Sequence, residues 1–206
     1  MKIKNTIILI TTLIALTIFS VGYMRAFYYF PSDEISLPDE QVAQIINPES
    51  QVALAKNADE KFSMKLTIPS IKVNAKMGEL GINAKGNMAA PRTFADVGWY
   101  KYGTFPGKLG SAVIAGHVDN GVAMPAVFAH LNKLQVGDDI YINTDKDTKL
   151  HFVVTGSKIY PYDSAPAEVF NDKSGKLIRL ITCTGNFIKE LRTHAERLVV
   201  TAQLVE

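Results

Sequence analysis

Phe62-Ser63-Met64-Lys65-Leu66-Thr67-Ile68-Pro69 sets four apolar residues, Phe62, Met64, Leu66 and Ile68, against Ser63, Lys65 and Thr67. A period of two lines the apolar side chains along one face, the pattern of a half-buried strand. Pro69 closes it, and Ile71, Val73 and Ala75 take up the same alternation. Farther along, Val97–Tyr100, Ser111–Ala115, Asp139–Asn143, Leu150–Val154 with a continuation to Ile159, Leu177–Cys183 and Arg197–Val205 read as strands. That makes eight strands within residues 61–206, parted by Gly and Pro turns. Such a sequence predicts an all-β domain, either a closed barrel or a sandwich. The clearest helix candidate is Pro125 to Lys133, with Pro at its start and Ala126, Phe128, Ala129 and Leu131 inside it.

Outward from this domain the composition changes. Of the 206 residues 47% are hydrophobic and 20% charged, enough to bury a core. The net charge of +2 gives no signature of nucleic-acid binding. It conceals three blocks. Residues 1–25 carry three bases and no acid, residues 26–60 one base against seven acids, and residues 61–206 eighteen bases against thirteen acids. The 20 residues Asn5 to Met24 are uncharged. As a helix they reach about 30 Å, the thickness of a bilayer hydrocarbon core. Lys2 and Lys4 in front of the span place the N-terminus in the cytoplasm and the remainder outside. A cleaved signal peptide is the alternative, but the apolar run exceeds the usual length and no convincing A-x-A site follows it. Either reading puts residues 30–206 outside the cytoplasm. The expected organisation is a transmembrane signal-anchor over 1–25, an acidic tether over 26–60 with Pro31, Pro38 and Pro48, and the strand-rich domain over 61–206.

Cys183 is the single cysteine, so no intrachain disulfide and no cysteine-based zinc cluster can form. It ends the apolar run Leu177-Ile178-Arg179-Leu180-Ile181-Thr182-Cys183, and Thr184-Gly185-Asn186 then breaks the pattern. A thiol at a strand end can be partly exposed on a rigid support; a buried structural cysteine is the other reading. A nucleophilic thiol needs a partner, because its ordinary pKa of about 8.5 leaves only a few per cent thiolate at neutral pH. The candidates are His117, His130, His151 and His194. His151 falls within a strand, His130 within the predicted helix and His194 in a polar loop, where structural or solvated roles are commoner. His117 follows an apolar strand and Gly116, a setting suited to proton transfer. Arg197 opens the last strand; it either solvates the rim or sets a fixed donor fork beside the thiol.

Taken together, Ala115-Gly116-His117, Leu180-Ile181-Thr182-Cys183 and Arg197-Leu198-Val199-Val200 resemble the sortases, cysteine transpeptidases of bacterial cell surfaces. The order His, Cys, Arg matches, as does the gap of 14 residues from Cys183 to Arg197. Leu66-Thr67-Ile68-Pro69-Ser70-Ile71 is similar to the family's first-strand signature, and Val97-Gly98-Trp99-Tyr100 with Pro106-Gly107 to the segment before the His strand. Gly116-His117-Val118-Asp119, Pro125 to Phe128 and Ile181-Thr182-Cys183-Thr184-Gly185 look most like class F, with classes D and E as alternatives.

The resemblance implies an eight-stranded sortase-type β-barrel with one or two short helices, and a groove for an LPxTG-type sorting signal. It implies that Cys183 attacks the Thr–Gly carbonyl, that His117, as imidazolium, protonates the leaving amine, and that Arg197 steadies the substrate backbone and the oxyanion. Thr182, Ala115 and Ile181 match substrate-groove positions. An amine acceptor, either a cell-wall precursor or a pilin lysine, then releases the acyl-enzyme. No cofactor is implied. Some sortases hold calcium in clustered carboxylates, but Asp96, Asp163, Glu168 and Asp172 are dispersed here, so no metal is expected. An L,D-transpeptidase usually holds its His and Cys close together, against 66 residues here. A papain-like protease has its Cys near a helix start and its His later. A membrane-tethered peptide-binding barrel without catalysis is the non-enzymatic alternative.

Overall fold

A computed structural model describes Thr17 and residues 64–205, apart from positions 85, 121–123, 145–147 and 165. The expected membrane span and the acidic tether lie outside the described residues, Thr17 excepted. Among the described residues no helix is long and apolar enough to cross a membrane.

Eight strands form one closed barrel: β1 (Met64–Ile68), β2 (Val73–Leu80), β3 (Val97–Tyr100), β4 (Gly110–Ala115), β5 (Asp139–Asn143), β6 (Lys149–Pro161), β7 (Lys176–Ile188) and β8 (Thr193–Leu204). The order round the barrel is β1-β2-β3-β4-β7-β8-β6-β5, closed by pairing of β5 with β1. β2 with β3 and β4 with β7 are parallel; the other neighbours are antiparallel. The period-two reading of β1 is realised, since Met64, Leu66 and Ile68 are buried while Lys65 is exposed. With Ile114, Ile140, Phe152, Ile178, Leu180 and Val200 they fill the barrel. Burying each such side chain fully contributes about 1.5–3 kcal/mol.

A second apolar cluster covers the outside of the sheet β4–β7–β8. Val113 and Ala115 of β4, Ile181 of β7 and Val199 of β8 meet Leu80, Met88, Tyr100, Tyr160, Val169 and Phe170 there. Val169 and Phe170 belong to a short helix, α1 (Glu168–Asn171), in the β6–β7 connection. The Ser111 hydroxyl fastens it to β4 by donating to the Val169 carbonyl at 2.8 Å. β4 is thus buried on both faces, which explains its unbroken apolar run.

Three expectations are corrected. Pro125–Lys133 is not an α-helix; it is a chain of turns ending in a 3₁₀ turn, Leu131–Lys133. Its amides bond three residues back, as Ala129 to Ala126 and Leu131 to Phe128, or leave the segment: Ala126 N donates to Val118 O, Val127 N to Phe94 O and Phe128 N to His117 O. Tertiary partners take the donors a helix would need. Next, β7 does not end at Cys183. It continues to Ile188 across a bulge between Thr184 and Phe187, where Gly185 takes φ 75°. Correspondingly β8 begins at Thr193, so His194 is a strand residue, not a loop residue, and Arg197 lies inside the strand instead of opening it.

Candidate active site

The β7–β8 register places Cys183 directly opposite Arg197. Side chains opposed in this way share a face, with Cβ atoms about 4.5–5.5 Å apart. Alternation along β7 puts Cys183 on the face of Ile181, the outer face of the barrel, and Thr182 on the opposite one.

His117 reaches this place through its backbone. The parallel register pairs Ala115 with Ile181, and Gly116 N then donates to Ile181 O at 3.1 Å. The Thr182 hydroxyl donates to Gly116 O at 2.8 Å. Two hydrogen bonds to the residues just before Cys183 therefore hold the residue just before His117. Gly116 is required there by space, since a Cβ would lie 2.5 Å from a ring carbon of Phe128, which is fully buried.

The three polar groups are buried: His117 is 6% exposed, Cys183 3% and Arg197 2%. The expectation of a partly exposed thiol is therefore not met: Ala90 and Pro91, within the segment Ala89–Thr93, border the pocket that holds it. Ala90 and Pro91 join Ala115, Gly116, His117, Ile181, Thr182, Cys183 and Arg197 around one small pocket. His117 Nε2 donates to the Pro91 carbonyl at 2.9 Å, and Phe94 packs on the ring at 5.0 Å between centroids. The segment also borders a wider groove of about 720 Å³ that is lined by Met77, Leu80, Glu79 and Asp96.

Arg197 is fixed within its own strand. Its Nη1 donates to the carbonyls of His194 and Glu196, each at 3.0 Å, and Nη2 to Thr193 Oγ1 at 2.9 Å. Its guanidinium is thereby held rigid against β8, and Arg197 lines the same pocket as Cys183. The six residues expected at the site, His117, Cys183, Arg197, Ala115, Ile181 and Thr182, all line the same pocket. His130 and His151 lie elsewhere; His151 pairs with Asp139 at 2.7 Å. Sequence reasoning did not find Pro91 or Phe94, which come from the β2–β3 connection with no periodic signal. Among the described residues no group of three or more His, Cys, Asp or Glu side chains could hold a metal ion.

Three groups away from the pocket have displaced pKa values, two of them, Tyr100 and Tyr160, in the outer apolar cluster. Burial pushes the Tyr100 phenol above its ordinary range. Burial, then a hydrogen bond to Glu168, raises Tyr160. Hydrogen bonds from Ser174, with Arg179 beside it, hold Asp172 below the usual carboxylate range.

A family profile, the Sortase domain, matches residues 66–205. No curated protein matches. Among solved structures the chain is similar to sortase C-1 from Actinomyces oris, at 23% identity over 78% of this chain and 83% of that one, with TM-score 0.60. Sortase A from Corynebacterium diphtheriae matches at 20% identity over 90% and 80%, TM-score 0.57. Sortase C1 from Streptococcus agalactiae matches at 18% identity over 78% of each, TM-score 0.58. At such identities the likeness speaks to the fold.

Proposed function

From the premise that the chain belongs to the sortase family and is a cysteine transpeptidase, we propose that it cleaves an LPxTG-type sorting signal between Thr and Gly and transfers the cleaved protein to an amine. The observation that carries this reading is the register that sets Cys183 against Arg197, with His117 bolted beside them through Gly116.

In the proposed reaction Cys183 Sγ, as the thiolate paired with the His117 imidazolium, forms a bond to the Thr carbonyl carbon, whose C=O π electrons move to oxygen. The tetrahedral intermediate collapses as the C–N bond breaks, leaving a thioester. The departing Gly amine takes its proton from His117. In this structure the Pro91 carbonyl occupies His117 Nε2, so the amine must either displace that carbonyl or meet Nδ1. The Arg197 guanidinium stabilises charge developing on the carbonyl oxygen. Being held by backbone carbonyls, it needs little reorganisation as that charge forms. Ala115 and Ile181 form the floor under the signal. Thr182, its hydroxyl spent on Gly116, acts by fixing the His117 loop. An acceptor amine, a cell-wall precursor or a pilin lysine, then attacks the thioester and restores the thiol; water in that role gives hydrolysis.

The sequence motifs favour class F over classes D and E. The chain acts outside the cytoplasm of a bacterial cell, held by a single pass over residues 1–25 with its N-terminus inside. Cleavage of fluorogenic LPxTG-type peptides tests the chemistry: Cys183→Ala and His117→Ala should both be inactive and folded. Protease added to intact spheroplasts should digest residues 61–206; full protection would refute the topology.

A further inference from the structure

Three segments each deliver one group of the site: the loop after β4 carries His117, β7 carries Cys183 and β8 carries Arg197. A single residue touches all three, two through its side chain and the third through its backbone carbonyl. His194 Nε2 lies 3.1 Å from Asp119 Oδ2, two residues after His117. Its Nδ1 lies 3.1 Å from the carbonyl of Gly185, two residues after Cys183. Its own carbonyl accepts from Arg197 Nη1 at 3.0 Å. The ring is sheltered, 14% exposed, with Phe187 packed edge-on at 5.4 Å between centroids.

We infer that His194 is a positioning residue, the tie that holds the His117, Cys183 and Arg197 segments in one geometry. The inference rests on the sortase reading above. Both ring partners, a carbonyl and a carboxylate, accept hydrogen bonds. Each bond therefore uses a ring N–H as its donor. The backbone is prepared for this contact. Gly185 takes φ 75° at the bulge, and a Cβ there would lie 2.7 Å from Glu196 Oε2. The Nδ1 bond stays between β7 and β8; the Nε2 contact to Asp119, 75 residues away, is the one that ties in the His117 loop.

Slack of about 1 Å among reacting groups costs on the order of 10²-fold in rate. His194→Ala should accordingly lower kcat for peptide cleavage by roughly 10- to 10²-fold with KM within about twofold, since no substrate contact is removed. His194→Gln places its amide near Nε2 and keeps the Asp119 bond. His194→Asn places its amide near Nδ1 and keeps the Gly185 bond. Each should recover part of the loss. Asp119→Leu, of similar shape but without an acceptor, carries the same test if His194→Ala fails to fold. Its kcat should fall, and Asp119→Leu/His194→Asn should be no worse than His194→Asn alone, because the tie is already cut. His151→Ala serves as the unaffected control and Cys183→Ala as the dead one. Full kcat in folded His194→Ala, full kcat in folded Asp119→Leu, or a loss confined to KM would overturn the positioning role while leaving the sortase reading intact. Activity in Cys183→Ala would instead overturn the sortase reading.

Discussion

The two faces of the β4–β7–β8 sheet come from alternate residues of the same strands, yet they are held together differently. The inner face is apolar apart from Thr182, with Ala112, Ile114, Ile178, Leu180 and Val200 packed against Leu66, Phe128 and Phe152. It is stabilised by area removed from water, without direction. The outer face buries polar groups as well. Ser111, His117 and Arg197 are each enclosed and each hydrogen-bonded to a backbone carbonyl. Burying such groups is costly unless they are paired, so their partners fix where they sit. The inner face sets how strongly the barrel holds; the outer face sets where reacting atoms stand. Mutations on the two should separate stability from rate.

The largest effect belongs to the inner face. Phe152→Ala should destabilise the domain by about 3–5 kcal/mol, read from denaturant unfolding, with kcat of the folded fraction near wild type. A matching collapse of kcat would erase the distinction between the faces. Arg197 gives the opposite signature. Arg197→Ala should lower the cleavage rate by on the order of 10²–10³-fold, and Arg197→Lys should stay strongly impaired because it loses the planar fork. Near wild-type turnover in the lysine variant would reduce the role to charge alone.

Thr182→Val sits between the two. It keeps shape but removes the donor to Gly116 O, leaving a buried carbonyl one bond short at a cost of about 1–3 kcal/mol. Its loss should appear in kcat as well as in stability; a change in stability only would mean that the His117 loop is held by other contacts. The smallest effect is expected at Asp172, which pairs with Arg179 of β7 at 2.6 Å. Its pKa is lowered on folding, so the carboxylate stabilises the domain above the ordinary Asp range near 4, and that contribution is lost as pH falls through the depressed value. Asp172→Asn should thus narrow the gap to wild type as pH drops from 6 toward 3. A constant gap across that range would assign the effect to packing instead.

The inner face was legible in the sequence because period two is a local signal. Met64, Leu66 and Ile68 alternate with polar residues, and the pattern survives folding unchanged. His117, Cys183 and Arg197 were legible as residues with chemistry near strand ends, joined by a family resemblance. Their burial was not, because Ala90 and Pro91, which border the pocket, arrive from the β2–β3 connection, where nothing in the spacing points at β7. Pro125–Lys133 misled for a related reason: its composition favours helix, but its amides bond to Val118, Phe94 and His117. The end of β7 misled because Gly185 reads as a terminator, whereas here it forms a bulge within a continuing strand. His194 read as a polar loop residue, since its tie to Asp119 is a long-range contact.

The central claim is that Cys183 carries the substrate as an acyl group. Intact-mass spectrometry after rapid acid quench of the enzyme with an LPxTG-type peptide tests it most directly. The account predicts an adduct equal to the peptide through Thr, on Cys183, discharged by hydroxylamine or an added amine and absent from Cys183→Ala. Cleavage by folded Cys183→Ala, or an adduct on any other residue, would contradict it.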